Sequence, residues 1–429
     1  MSAHPQGRLT DNSRGGSGPH RVAVVGAGMI GLATAWFLQE RGVHVTVLER
    51  EHIAAGASWG NAGWLTPALI APLPEPAVLS YGVRAVLNPS SPVYVPLALD
   101  VSLLRFLVAF ARHSTARRWG TGMRAYAPVN RRSLAAFDAL TAGGVEAPTR
   151  AAQPLLACYR RESERSSMVE ELEHIRTAGQ EVDFDLLSGA EAREIAPAMS
   201  DEITAAIRLH GQRYINPPQF VNSLADSVRV RGAVLREGVA VRDISDDGTS
   251  VFLQTLAGEQ ERYDAVVLAT GSRFGDLAGR FGVRQMVQAG RGYSFSVGIE
   301  QLPTSPVYFP AERVGCTPLD GRLRLAGMME FRKPGAPLDP RRIAAIANAV
   351  RPLLRGVDLE DRQDEWVGAR PCTPDGLPLI GRTRSPRVYA AGGHGMWGMA
   401  LGPLTGQLIA ETVTTGVAPP ELTPFDPLR

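Results

Sequence analysis

A strand, a glycine-rich turn, a helix and a second strand follow one another near the start of the chain, and this unit constrains the fold more than any other feature. Val22–Val25 is a short apolar run that leads directly into Gly26-Ala27-Gly28-Met29-Ile30-Gly31. A helical apolar pattern continues to Gly42, and Val43–Leu48 then alternates as a strand before Glu49. In a βαβ unit such glycines permit a tight turn and let a pyrophosphate approach the helix N-terminus. An acid placed like Glu49 can accept hydrogen bonds from ribose hydroxyls, so the sequence predicts an adenine dinucleotide site.

The segment after Glu49 favours FAD over NAD. Residues 54–63 are small and polar, whereas an NAD-binding domain normally continues into another helix and strand. A series of small residues allows the backbone to lie against a bulky ligand. The alternative interpretation is an ordinary surface loop. A second small turn, Ala269-Thr270-Gly271, follows an apolar strand and is consistent with a chain that returns to the same cofactor.

Two further motifs continue this pattern towards the end of the chain. Residues 366–381 contain Trp366-Val367-Gly368-Ala369-Arg370-Pro371 and then Thr373-Pro374-Asp375-Gly376, and residues 392–398 are glycine-rich before a terminal helix. Together with the N-terminal turn and Asn61-Ala62-Gly63, they resemble in order the FAD-dependent D-amino acid oxidase/dehydrogenase superfamily, over residues 20–416. The Asn-Ala-Gly form, the proline-rich run after it and the overall length are most similar to bacterial D-amino acid dehydrogenases.

The resemblance implies an α/β fold with a Rossmann-like FAD-binding domain, built on a parallel sheet, and a substrate domain with an antiparallel sheet. The expected FAD-binding segments are 21–98, 188–285 and 362–416, and the expected substrate-domain segments are 99–187 and 286–361. Residues 1–20 are expected to be a disordered tail and residues 417–429 a C-terminal tail. The residues expected to contact FAD are Gly26, Gly28, Met29, Ile30, Gly31, Glu49, Arg50, Ser58, Asn61, Ala62, Gly63, Val239, Ala269, Thr270, Gly271, Gly393, Gly395 and Gly398.

Arg370 is the main candidate for binding the substrate. A guanidinium group matches a carboxylate with two parallel hydrogen bonds, and the resemblance places the carboxylate-binding arginine of the family at this position. Arg291 is a second candidate. Tyr308 lies on a presumed strand of the substrate domain and either closes the site with its hydroxyl or belongs to the core. His394 either contacts the flavin or substrate or is hydrogen-bonded within its own glycine-rich turn.

The expected reaction is oxidative deamination of a D-amino acid to a 2-oxo acid and ammonia, by hydride transfer from Cα to flavin N5. The alternative is oxidation of secondary or imino acids such as sarcosine, glycine, D-proline or hydroxyproline on the same frame. The electron acceptor is oxygen, a quinone or a redox partner, and a scaffold without activity is disfavoured by Arg370. Non-covalent FAD is expected, because the covalent cysteine of related sarcosine oxidases falls where this chain has Gly368. Flavin that stays attached to the denatured chain would contradict this expectation.

Composition excludes several other classes of protein. The chain has 45 basic and 43 acidic residues, a net charge of +2 that gives no footprint for nucleic acid. Lys333 is the only lysine, and it stands between Arg332 and Pro334. A Walker loop needs a Gly-Lys-Ser/Thr sequence, so it is excluded. The three cysteines are far apart and predict neither a metal site nor a disulfide framework. With no signal peptide in residues 1–20, we expect a cytoplasmic protein.

For one apolar segment, the sequence allows both a place in the core and a contact with the membrane. Leu103–Trp119 is predicted to be helical, with apolar residues followed by Arg112, Arg117 and Arg118. A core-facing helix with a basic C-terminus fits this pattern. A helix lying on the inner face of the cell membrane is the alternative.

Overall fold

The computed structural model describes residues 18–76, 93–95 and 100–429. The helices in these residues are α1 (Met29–Glu40), α2 (Val101–His113), α3 (Ala116–Ala142), α4 (Glu162–Thr177), α5 (Gly189–Ile195), α6 (Pro217–Val230), α7 (Phe274–Ala278), α8 (Pro340–Val350) and α9 (Gly398–Thr415). The strands are β1 (Arg21–Val25), β2 (His44–Leu48), β3 (Trp64–Leu65), β4 (Val93–Tyr94), β5 (Arg150–Ala151), β6 (Leu155–Tyr159), β7 (Phe184–Ser188), β8 (Ala205–Leu209), β9 (Arg213–Tyr214), β10 (Val234–Arg236), β11 (Val241–Asp246), β12 (Val251–Thr255), β13 (Gln260–Tyr263), β14 (Ala265–Leu268), β15 (Gln288–Ile299), β16 (Val307–Phe309), β17 (Val314–Leu319), β18 (Arg322–Phe331), β19 (Val357–Cys372), β20 (Leu379–Arg382) and β21 (Val388–Gly392).

A largely parallel sheet forms the first layer of the molecule. Its strand order is β10-β2-β1-β14-β21-β20, and only β20 runs antiparallel to its neighbour. Strand β1 pairs with both β2 and β14, so that Val22 lies opposite Val45 and Ala265. Central strands of such a sheet are covered on both faces, which explains their continuous apolar sequences. The predicted parallel sheet is confirmed.

A larger mixed sheet forms the second part of the molecule. Among the described residues its strand order is β19-β15-β18-β17-β16-β6-β8-β7, with β4 beside β18. The pairings are antiparallel except for β16 with β6 and β18 with β4. The predicted antiparallel sheet is therefore confirmed, with two parallel pairings added. Two three-stranded sheets, β11-β12-β13 and β3-β9-β5, complete the strands of the described residues.

Helices α1 and α9 pack closely against each other, because glycines stand at the positions of α9 that contact α1. A Cβ atom at Gly406 would lie 2.6 Å from the backbone carbon of Ala33, and one at Gly402 would lie 2.6 Å from Cγ of Met29. Both positions are fully enclosed, so this close contact leaves no room for a side chain. The contact brings the N-termini of the two helices to the same edge of the sheet.

The single helix predicted for Leu103–Trp119 is wrong, because two helices meet within it. Asp100 caps α2 by accepting hydrogen bonds from the backbone N–H groups of Ser102 and Leu103. Thr115 has an extended backbone and caps α3 by accepting from Arg118 N at 3.4 Å. A threonine in this conformation is a favoured helix N-cap, which explains the break.

The segments of the two domains differ from those expected. Strand β8 and the whole of β19 belong to the mixed sheet, so the parallel-sheet domain resumes after 209 and after 372, later than predicted. In α3, Tyr126 and Phe137 pack in the same core as α1, although this segment was expected in the substrate domain. The last residues include a 3₁₀ helix, Pro420–Phe425, in which Leu422 and Phe425 are buried. Residues 1–17 and the expected boundary at 98 lie outside the described residues.

In the part of the chain that the structure describes, the longest apolar helices fall short of what is needed to cross a membrane.

Candidate active site

The first glycine turn has the geometry of a dinucleotide-binding turn. Gly26 has a φ angle of +111°, and a Cβ atom there would lie 2.4 Å from the carbonyl oxygen of Ala269. A Cβ atom at Gly31 would lie 1.9 Å from the carbonyl oxygen of Gly26. Gly28 is the N-cap of α1 and has no side-chain cap. The N-terminus of α1 is therefore open to an anion at the end of β1.

Glu49 lies beside this turn, at the end of β2. One carboxylate oxygen accepts from Ala27 N at 2.8 Å, and the other accepts from Glu51 N at 2.9 Å. Each carboxylate oxygen can accept a further hydrogen bond, so the carboxylate can still bind ribose hydroxyls. Val239 runs alongside, with its N–H donating to the carbonyl oxygen of Glu49 at 2.8 Å. Arg50 is exposed and forms an ion pair with Glu51.

Residues 58–63 run from the N-terminus of α1 to the mixed sheet. The Ser58 hydroxyl accepts from Met29 N at 3.2 Å, and Asn61 Oδ1 accepts from Gly63 N at 2.9 Å. Gly63 has a φ angle of +79°, and a Cβ atom there would lie 2.2 Å from the carbonyl oxygen of Ile215. The carbonyl oxygen of Ala62 accepts from the Thr317 hydroxyl at 2.8 Å. This segment therefore links the first glycine turn to the sheet of the second domain.

Two later turns reach the same edge of the parallel sheet. Ala269 N donates to the carbonyl oxygen of Val25 at 2.8 Å, and the hydroxyl oxygen of Thr270 is buried without a partner among the described residues. Gly271 and Gly395 both have positive φ angles, and a Cβ atom at either would meet nothing within 4 Å. These turns therefore leave open space where the backbone approaches a ligand.

The glycine-rich turn from 393 to 398 has the same spacing of glycines as the N-terminal motif and also precedes a helix. Gly393 has a φ angle of +74°, and a Cβ atom there would lie 2.9 Å from Cγ2 of Thr373. A Cβ atom at Gly398 would lie 3.8 Å from Cδ1 of Ile30. The N-termini of α1 and α9 are therefore neighbours. Two adjacent helix N-termini suit the negatively charged and electron-accepting parts of one dinucleotide.

These residues fit FAD as the bound group. The carboxyl ends of β1, β2, β14 and β21 share one edge, and the four predicted cofactor segments follow these strands. The unpartnered Thr270 hydroxyl and the open space at Gly271 and Gly395 are the structural observations that fit a ligand there.

Arg370 lies near the end of β19, close to the turn that leads into α9. Its Nη1 donates to the carbonyl oxygen of Met328 at 2.6 Å. Arg370 as a residue is partly exposed, and burial of its guanidinium lowers its pKa. Among the described residues, no carboxylate lies within ion-pair distance of it. Arginine remains charged under such conditions, so its positive charge has no acidic partner in this part of the chain.

Arg291 lies on the other face of the sheet. In β15, Gly290 pairs with Arg370 and Arg291 with Ala369, so the side chain of Arg291 points away from that of Arg370. Its guanidinium is fully buried, 3.2 Å from the equally buried Glu330 carboxylate, and it donates to the carbonyl oxygen of Pro337. Its position does not support the substrate-binding role expected from the sequence, because its charge is already paired inside the protein.

Tyr308 lies on the face of the mixed sheet that is turned towards residues 58–64. Its ring contacts that of Trp64 edge to face, with centroids 5.3 Å apart. Burial raises the pKa of Tyr308 to about 12, so its hydroxyl stays protonated and can donate. Trp64 itself donates to the Thr317 hydroxyl at 2.9 Å. Tyr308 therefore lies on the cofactor side of the substrate domain, and its role in the site stays a prediction.

His394 points into the protein. Its side chain is 1% exposed, and Nε2 lies 2.9 Å from the Thr405 hydroxyl oxygen on α9. Burial lowers the pKa of His394 to about 3. The imidazole is therefore neutral, its hydrogen-bond partner is on α9 and not in the glycine-rich turn, and its role in the site stays a prediction.

The packing and backbone conformation around Arg370 are not visible in the motifs. Gly292 leaves space for Arg370, because a Cβ atom there would lie 2.1 Å from Nη2 of the guanidinium. Trp366 fills the space beside Gly60 and Gly368 in the same way. Met328 has a φ angle of +67°, which is rare for a residue with a side chain. Only its conformation marks it, and a sequence does not display that.

Two cavities lie outside this site, whereas one of the three cysteines, Cys372, lies two residues from Arg370 and forms a β-bridge with His394. All three thiols are buried and free, and burial raises the pKa of Cys158 and of Cys372 to about 12. Protonated thiols are poor nucleophiles, which fits non-covalent FAD. Two cavities of about 510 and 660 Å³ border α1 and the start of α3, and Arg370 lines neither.

The fold and the site define a flavin-dependent oxidoreductase, and comparison with known proteins assigns the family. Residues 21–412 match the family described as FAD dependent oxidoreductase, and the chain belongs to this family. It is 31% identical over 395 residues to a D-amino acid dehydrogenase of Cereibacter sphaeroides (strain ATCC 17029 / ATH 2.4.9), covering 89% of each chain. The resemblance stated from the sequence, and FAD as the cofactor, are therefore confirmed.

Solved structures show the same fold. Glycine oxidase from Geobacillus kaustophilus superposes with a TM-score of 0.73 at 23% identity, covering 96% of this chain and 99% of that one. L-proline dehydrogenase from P. horikoshii superposes with a TM-score of 0.66 at 18% identity, covering 95% of this chain and 97% of that one. Since these proteins are named for different substrates, the fold alone does not define the substrate.

Proposed function

We propose that the chain oxidises D-amino acids to 2-oxo acids and ammonia. The observation that carries this proposal is the Arg370 guanidinium, which lies on β19 close to the glycine-rich turn before α9 and has no carboxylate partner among the described residues. An α-amino acid supplies a carboxylate next to the carbon that is oxidised. The name of the Cereibacter sphaeroides relative supports the D-amino acid as the substrate class.

In this proposal Arg370 binds and orients the substrate. Its free N–H groups hold the carboxylate, while Met328 fixes the guanidinium from the other side. Bound FAD supplies the two-electron acceptor for the Cα–H bond of the amine. Water then hydrolyses the released imino acid to the 2-oxo acid and ammonia. The chain contributes mainly position and a fixed positive charge, which such chemistry requires more than a strong base.

Oxidation of amino acids with a secondary amine, or of imino acids, is the second candidate function. Glycine oxidase and L-proline dehydrogenase share this fold, and glycine and proline carry a carboxylate in the same relation to the amine. Arg370 would hold these substrates in the same way. The name of the sequence relative, a dehydrogenase, favours a quinone or a redox partner over oxygen as the electron acceptor.

Replacing Arg370 tests the proposed binding role. We expect Arg370→Ala to lower kcat/KM by about 100-fold or more, since hydrogen bonds to charged groups contribute about 1.5–3 kcal/mol each. The visible absorption of FAD should be retained. Arg362→Ala is the matched control, because Arg362 lies on the same strand but pairs with Glu360 on the surface. An Arg370→Ala enzyme with the kinetics of this control would contradict the proposal.

We also propose a peripheral membrane contact through α2. Val101, Leu104 and Val108 are 64%, 62% and 44% exposed, and the spacing places them on one side of the helix. Arg105 and Arg112 are exposed on the same helix. Apolar side chains with neighbouring arginines are typical of helices that lie on anionic lipid.

A further inference from the structure

A β-bulge lies between β15 and β18 next to Arg370. Arg291 pairs with Glu330, whereas Tyr293 pairs with Gly327, so Met328 and Met329 together stand opposite Gly292. The φ angle of +67° at Met328 belongs to this extra residue. Bulges of this kind redirect groups of the strand in which they occur.

The bulge determines what the Arg370 guanidinium contacts. The carbonyl oxygen of Met328 accepts from Nη1 of Arg370 at 2.6 Å. Nη2 occupies the space that a side chain at position 292 would take. One edge of the guanidinium is therefore fixed by the bulge and by the missing side chain of Gly292, and the rest is left for a ligand.

Buried side chains on the face of the sheet away from Arg370 connect the two ends of the bulge. The Tyr293 hydroxyl donates to Glu330 Oε2 at 2.6 Å, and Nη1 of Arg291 lies 3.2 Å from the same oxygen. Tyr293 pairs before the bulge and Glu330 follows it, so their hydrogen bond spans the extra residue. Both side chains are fully buried, and Glu330 Oε1 lies 3.6 Å from Nε of both Arg332 and Arg342. A buried carboxylate held by one hydrogen bond and by ion pairs with three arginines has little freedom to move.

We propose that Tyr293 and Glu330 are positioning residues that hold the bulge and thereby orient Arg370 for the substrate carboxylate. They act through the backbone of Met328 and touch neither substrate nor FAD. This inference rests on the proposed role of Arg370 in binding the substrate. The buried Arg291 belongs to the same cluster, because its charge compensates that of Glu330 on the neighbouring strand.

The experiment compares Tyr293→Phe with Tyr263→Phe. Both changes remove a hydroxyl that donates to a glutamate at 2.6 Å, but Tyr263 lies at the end of β13, in the small antiparallel sheet β11-β12-β13. We expect Tyr293→Phe to raise KM about fivefold to twentyfold, with kcat changed less than about twofold, as expected for reduced ground-state and transition-state binding. Tyr263→Phe should leave KM unchanged. Both proteins should retain FAD.

A binding measurement supplies a second readout that does not depend on turnover. Benzoate, a simple carboxylate, is titrated calorimetrically into each FAD-loaded protein, and its Kd should rise in Tyr293→Phe by the same factor as KM. Tyr263→Phe is the control here too, and its Kd for benzoate should stay near that of the unchanged protein. Thermal unfolding of all variants separates loss of stability from loss of binding.

The outcomes separate this inference from the proposed function. If Tyr293→Phe lowers the Tm but leaves KM and the benzoate Kd unchanged, while Arg370→Ala raises both, the positioning role is overturned and the function stands. If Arg370→Ala leaves both unchanged, the proposed function fails. Glu330→Gln is the second positioning variant, and an unchanged benzoate Kd in that FAD-loaded protein would also overturn the positioning role.

Discussion

The buried imidazole of His394 makes the stability of the protein depend on pH. Burial lowers the pKa of His394 to about 3, whereas an unfolded histidine titrates near 6.5. Between these values the unfolded chain binds a proton that the folded chain does not, so stability falls as the pH is lowered below about 6.5. This single group then costs about 2 kcal/mol at pH 5 relative to neutral pH.

Replacing His394 should remove this part of the pH dependence. We expect the Tm of His394→Gln to fall less between pH 7 and pH 5 than that of the unchanged protein. Exposed His44 supplies the control, since His44→Gln should preserve the full decrease. Differential scanning calorimetry at three pH values measures the difference. A parallel decrease in His394→Gln and the unchanged protein would show that His394 is not kept neutral by burial.

Single residues of the site differ in how far the sequence predicts them. Arg370 is part of a specific motif, so its place near the glycine-rich turn could be anticipated from neighbouring residues. Arg291 is also set among small residues, with a glycine on each side, but the alternation of β15 turns its side chain to the buried face. Glu330, which decides the role of Arg291, comes from another strand, and no local pattern connects the two.

At the scale of elements, the exposed side of α2 leads to a prediction about lipid binding. The unchanged protein should co-sediment with vesicles containing one third phosphatidylglycerol and bind neutral phosphatidylcholine vesicles less. Leu104→Asp combined with Val108→Asp should lower the partition coefficient for anionic vesicles about tenfold or more. The two substitutions replace two apolar side chains with carboxylates, which anionic lipid repels. Vesicle sedimentation at low and high salt measures this.

A matched variant controls for the added charge. Val230 and Val417 are 89% and 70% exposed elsewhere on the surface, so Val230→Asp combined with Val417→Asp adds the same two acids away from α2. Equal binding of Leu104→Asp/Val108→Asp and Val230→Asp/Val417→Asp to anionic vesicles would contradict the proposed contact through α2.

Elements with strong local signals were predicted well, and those decided by capping were not. The apolar run of β1 and the glycines before α1 mark that unit by themselves. The end of α2 at Ser114 depends on the extended backbone of Thr115, whose side chain then caps α3. Threonine is compatible with a helix interior too, so the sequence alone favoured one continuous helix.

At the scale of the whole molecule, the chain alternates between two sheets. Segments of the parallel sheet enclose those of the mixed sheet, and residues 58–64 connect the first glycine turn to β17. The motifs predicted this alternation because they follow the parallel strands. The boundaries depend on pairings between distant segments, such as β6 with β8 or β15 with β19, and local pattern does not reveal these pairings.

We propose above that this FAD enzyme oxidises amino acids whose carboxylate is held by Arg370. Anaerobic mixing of the FAD-loaded protein with D-alanine, L-alanine, N-methylglycine and D-proline, monitored by the loss of the visible flavin absorption, tests this directly. We expect fast bleaching by D-alanine, none by L-alanine, and a much higher D-alanine requirement in Arg370→Ala. Faster bleaching by N-methylglycine or D-proline would select the secondary-amine function instead. A flavin that no member of the panel bleaches would contradict oxidation of amino acids by this protein.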